Sequence, residues 1–204
     1  MQQDILNIVP RQQTGKEIEV NSSCKFEQEN EAVDFFTVAK GRLLNVDQWH
    51  RVAGVISAAF RAFDKDGNKV DRKIEKEDYM RIDIPGPGSK EGDGYDWVKI
   101  EEVKEVEEAH LQCIGFRVRP AANPCGDTNS IAHFYDDSAT GNFVVTREGK
   151  KITATVIDVN VKPNDDTNSI TDKIRGTAIG TVALSFFSKL QWKNLVDGIV
   201  KIEK

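Results

Sequence analysis

Apolar and polar positions change their period along the chain, and each change marks an element. From Lys16 the apolar residues Ile18, Val20, Cys24 and Phe26 fall on alternate positions, which puts them on one face of a strand. In the next segment, ENEAVDFFTVAKGRLLN, the apolar residues Ala32, Phe35, Phe36, Ala39 and Leu43 recur every three or four positions, the stripe of an amphipathic helix. The following VDQWHRVAG closes at Gly54 and predicts a second short helix with Trp49 and Val52 facing inward.

Beyond Gly54 the helical period disappears for more than a hundred residues. Strand character returns at 55–63, 79–84, 97–106, 111–119, 131–135, 143–147 and 151–161, seven segments in all. Asp64-Lys65-Asp66-Gly67 and Glu148-Gly149 are tight-turn sequences, because Asp and Gly tolerate the backbone angles that a turn requires. Strands joined by short turns imply an antiparallel sheet. The stretch PGPGSKEGDGYD holds too many prolines and glycines for a regular element, and its glycines fall in no phosphate-binding frame.

The last long pattern is helical again. Ser169 with Asp172 three residues on resembles a capping box. Ile174, Ala178, Val182, Phe186 and Leu190 then keep a four-residue spacing, continued by Phe187, Leu195, Ile199 and Ile202. Gly176 and Gly180 each cost about 1 kcal/mol against Ala inside a helix, so they mark a close approach to the backbone. The prediction is an α+β fold: a curved antiparallel sheet of six to eight strands wrapped around a long C-terminal helix, with two short helices after the first strand. Residues 1–15, polar and carrying Pro10 and Gly15, are expected to be a flexible arm ahead of a single domain at 16–204.

Composition narrows the function classes. With 39% hydrophobic and 30% charged residues among 204, the chain has the make-up of a soluble globular protein. A net charge of -5, with basic residues interleaved among more numerous acids, argues against a nucleic-acid surface. The longest apolar run, at 177–187, is about half of what a bilayer span needs. Three widely spaced cysteines, Cys24, Cys113 and Cys125, suggest neither a disulfide framework nor a zinc site and fit a reducing cytoplasm. No metal ligand set and no cofactor motif is expected.

The order strand, two short helices, antiparallel strands and one long C-terminal helix resembles the helix-grip superfamily, which includes START-related lipid-transfer proteins, pollen-allergen ligand binders and polyketide cyclases. Trp49, in VDQWHRVAG, stands where many members carry a Trp in the second short helix. The resemblance implies a cavity between sheet and helix that binds or transports a small hydrophobic or amphipathic molecule. Seven strand-like segments after the small helices exceed the six of that fold. On this view Trp49, Trp97, Phe116, Phe134 and Tyr135 are ligand-binding candidates, with Gly180, Phe186 and Phe187 on the long helix.

Two alternatives stay open. One is a cyclase- or hydrolase-like enzyme on the same scaffold, in which His133 beside Asp136 does acid-base work. The other is a non-catalytic interaction protein with a filled core. Arg117 is a surface residue if its strand keeps parity, and an inward anchor for a carboxylate ligand if parity is inverted.

Overall fold

The computed structural model describes residues 4–54, 58–84, 89–126, 129–164 and 178–203, with side chains of the last helix from residue 189 onward. Strand β1 (Lys16–Lys25) leads into α1 (Glu29–Leu44), a single 3-10 turn (Val46–Gln48) and α2 (Trp49–Val52). Six strands follow: β2 (Ala59–Phe63), β3 (Tyr79–Asp83), β4 (Asp96–Glu107), β5 (Leu111–Pro120), β6 (Thr140–Glu148) and β7 (Lys151–Val161). Helix α3 (Ala178–Ile199) closes the chain.

The seven strands form one curved, wholly antiparallel sheet in the order β1-β7-β6-β5-β4-β3-β2. After β1 the chain crosses to the opposite edge through α1 and α2. It then returns strand by strand until β7 pairs with β1, Val20 opposite Val156 and Lys25 opposite Lys151. Asp47, in the 3-10 turn, fastens the crossover to the far edge: its Oδ1 accepts from Ala62 N at 2.7 Å and its Oδ2 from Arg61 at 2.8 Å.

Three expectations need correction. Residues 131–135 form no strand; Tyr135 makes an isolated bridge with Pro163, and Ala132 binds the backbone of Trp97 and Ala121 across the sheet end. This removes the surplus segment, leaving six strands after the small helices. The strand expected at 55–63 is confined, among the described residues, to Ala59–Phe63. Leu190, in α3, and Ile202, beyond its end, both assigned to the buried stripe, are 52% and 47% exposed. Leu195 and Ile199 of the expected stripe are buried, joined by Gln191, Val196 and Val200, with Trp192 packed against the core. The Ser169–Asp172 cap, Ile174 and Gly176 lie outside the described residues, as do the side chains at 178–188.

Inward-facing alternate residues of the sheet meet α1, α2 and α3. α1 buries Ala32, Phe36, Ala39, Leu43 and Leu44, close to the stripe that its spacing predicts. Trp49 is fully buried, and its Nε1 donates to the carbonyls of Arg42 and Leu43 at 3.2 and 3.1 Å, occupying free acceptors at the end of α1. Its ring lies 4.9 Å from Phe60 and 5.2 Å from Phe143, centroid to centroid. On the opposite face of the sheet, Leu6 and Ile8 are buried over Gly115, where an added Cβ would sit 2.8 and 2.9 Å from their methyl groups.

Candidate functional site

Above the Trp49 cluster the core opens into a partly enclosed pocket of about 60 Å³. Its walls are apolar: Met80 and Ile82 from β3, Val98 from β4, Val118 from β5 and Phe143 from β6. The segment at 133–135 crosses one end, and α3 contributes Gln191 and Trp192. A pocket of this size has room for roughly four waters or one end of a small organic molecule.

Each polar group reaches the pocket for a local structural reason. On β7, Ile152, Ala154 and Val156 face the core, and Asp158 continues their parity into the pocket wall. Two residues later Asn160 takes a left-handed conformation, φ 58°, and the pairing with β1 slips between Lys16 and Ile18. This local irregularity lets Val161 also line the pocket, as an extra residue re-aims those after it. Asn160 is held there by the backbone of Gln13 and Thr14, which donate to its Oδ1 at 2.7 and 3.1 Å. Gly141, opposite Asp158 on β6, leaves space for it: a Cβ there would lie 3.3 Å from Asp158 Oδ1 and 3.2 Å from both Phe143 and Val118.

Asp158 is almost wholly buried, and burial pushes its carboxyl up to about 7 against the opposing effect of Trp192, whose Nε1 donates to Oδ2 at 2.8 Å. Gln191 is 7% exposed, and its Oε1 accepts no hydrogen bond among the described residues. His133 is buried in the pocket wall. Its Nδ1 accepts from Tyr135 N at 2.9 Å, which leaves the ring proton on Nε2, and burial lowers its pKa to about 3. Beneath the same segment Asp96 is also pushed up to about 7 by burial, with the Phe134 backbone acting the other way.

The positions expected from the sequence separate accordingly. Phe134 and Tyr135 line the pocket. Trp49 and Phe116 lie behind its floor, Phe116 stacked on Phe143 at 4.8 Å. Trp97 points to the other face of β4, into a separate cluster with Phe63 and Ala132, and donates from Nε1 to Gly92 O at 3.3 Å. Gly180 belongs to the helical backbone of α3, and the side chains of Phe186 and Phe187 lie outside the described residues. Asp136 does not reach His133; it closes a turn by accepting from Ser138 N at 2.9 Å and from the Ser138 hydroxyl. Arg117 keeps the outer face, bound to Glu101 at 2.6 Å and to Ile8 O at 3.0 Å.

Met80, Ile82, Asp158, Gln191 and Trp192 enter the site without having been singled out. The parity of β7 was the available signal for Asp158. Another buried ionic group, Arg147, sits at the other end of β6 and directs four hydrogen bonds to Gln112, Glu29, Gly149 O and Ala109 O, so it is consumed by structure.

No protein-family model matches the chain, and a search of curated proteins gives no significant match. Among solved structures, the hypothetical protein jhp0584 of Helicobacter pylori aligns over 92% of this chain and 87% of its own at 8% identity and a TM-score of 0.48. Ara h 8.0201 aligns over 88% and 99% at 10% identity and 0.34. Truncated norcoclaurine synthase from Thalictrum flavum aligns over 95% and 100% at 9% identity and 0.34. Likenesses this distant carry no functional inference; the residues of the pocket do.

Proposed function

We propose that the protein binds a small apolar or amphipathic molecule in the pocket beneath α3, in the manner of a helix-grip ligand binder. The supporting observation is the pocket itself: apolar walls from four adjacent strands with a few polar groups among them, the usual composition of a ligand site. Phe134 and Tyr135 form the wall in this proposal, Trp49 and Phe116 back the floor, and Gly180, Phe186 and Phe187 remain its helix-side candidates. The enzymatic alternative loses its pair, because Asp136 is engaged with Ser138 and His133 is held neutral.

Toluene is a suitable neutral probe, followed by the indole N–H resonance of Trp192 and by thermal unfolding. Saturable movement of that resonance and a raised Tm are expected. Gly141→Leu, which fills the space beside Asp158, should weaken toluene at least tenfold, and Ala139→Leu serves as a second filling variant should the first fold poorly. A Trp192 resonance unmoved by toluene, or moved equally in a folded filling variant, overturns the proposal.

A further inference from the structure

The polar lining is richest in oxygen acceptors beside Trp192, although the hydroxyls of Tyr135 and Thr140 also belong to it. Asp158 and Gln191 both present oxygen acceptors, and the indole N–H of Trp192 is already engaged by Asp158 Oδ2 at 2.8 Å. Gln191 Oε1 is buried with no donor among the described residues, an arrangement that costs free energy until something supplies one. No lysine or arginine is among the described residues lining the pocket. Arg117, the one cation offered by the sequence as an inward anchor, is on the outer face with Glu101. Nδ1 of His133 accepts from Tyr135 N, so this neutral ring offers one N–H at Nε2 but no charge.

We propose that the pocket selects molecules joining an apolar body to a cationic amine, whose N–H groups are received by Asp158 and Gln191. This rests on the ligand-binding proposal above and specifies its ligand class. An ammonium group carries donors for both acceptors and a charge that offsets the one Asp158 carries when ionised. A carboxylate head would set one anion against another whenever Asp158 is ionised, and would leave Gln191 Oε1 unsatisfied. A hydroxyl supplies a donor without the charge, so it ranks between the two. The burial that raises the Asp158 pKa is the same burial that strengthens its attraction for a cation, because neither partner is screened by water.

Benzylamine, benzyl alcohol and benzoate share one ring with toluene and differ only in the head group. Titrated against the intact protein by calorimetry and by the Trp192 indole resonance, benzylamine should bind at least tenfold more tightly than benzoate, with benzyl alcohol between them. In Asp158→Asn, which keeps an oxygen for Trp192, the ratio of benzylamine to benzoate affinity should collapse towards one, and in Gln191→Leu it should fall by a smaller factor. Benzoate or benzyl alcohol binding as well as benzylamine, or an unchanged ratio in Asp158→Asn, overturns this proposal. If toluene binds without any ranking among the head groups, only the amine selectivity falls. If toluene and all three head groups fail to bind, the ligand-binding proposal falls with it.

Discussion

Asp158 occupies a position where the alternation of β7 demands an apolar side chain. That contradiction hid it from the sequence pattern: the run of Ile152, Ala154 and Val156 lapses at the residue that is most distinctive in the pocket. Trp49 was legible for the opposite reason, since a large aromatic residue on the inward side of a short helix has few places to go but the core. The buried carboxyl also makes a pH prediction. With a folded pKa of about 7 and an unfolded value of ~3.9, Asp158 is protonated in the folded state and ionised in the unfolded state between those values. Its contribution therefore favours folding at low pH and is lost as pH rises through 7. Relative to the natural protein, Asp158→Asn should gain about 2–3 kcal/mol of stability between pH 5 and pH 8, measured by urea unfolding at both values; an equal difference at both would refute the assignment. His133 acts in the other direction. Its folded pKa of about 3 lies below the unfolded one, so its contribution is lost as pH falls below ~6.5. Comparing variant with parent at each pH is thus necessary, because the parent curve alone sums opposing contributions.

At the scale of elements, α3 shows how a periodic pattern can be right about existence and right about only part of the buried face. A four-residue spacing drifts round a helix of 3.6 residues per turn, and by residue 190 the stripe has rotated to solvent. The buried positions 191, 195, 196, 199 and 200 follow the true period. The segment at 131–135 shows a related failure: alternation of Ile131, His133 and Tyr135 mimics a strand, but the chain there lies across the sheet end and its backbone bonds go elsewhere. The end of α3 is tied down twice. Arg42, on α1, donates to the carbonyls of Gly198 and Ile199 in the last turn and of Lys201 just beyond it. Gly198 meets α2 so closely that a Cβ would lie 1.9 Å from Val52 O. Alanine ordinarily favours a helix over glycine by about 1 kcal/mol, but the clash here is with backbone. Gly198→Ala should therefore destabilise by about 1–3 kcal/mol, seen as a lower Tm; a neutral or raised Tm would mean that α2 and α3 separate readily.

Across the whole molecule the sheet is covered on both sides, by the helices within and by residues 4–9 over Gly115 without. This outer contact was not legible, because Leu6 and Ile8 sit in a short apolar run with no regular period and Gly115 discloses its role only when the strands are assembled. Ile8 is fully buried and its carbonyl accepts from Arg117. Ile8→Ala should cost about 2–4 kcal/mol if this segment unfolds together with the core, as measured by urea denaturation, whereas a segment that detaches first would leave the main transition where it was. The pairing of β1 with β7 carries a different consequence, one for synthesis. Strand β1 emerges from the ribosome early, yet Lys25 finds its partner only when Lys151 has been made. At 5–20 residues per second that is a wait of roughly 6–25 s. Throughout it the strand exposes backbone groups to any neighbouring chain, and Lys16, Glu17, Glu19 and Lys25 along its length are the charges that keep such a nascent edge from sticking to another.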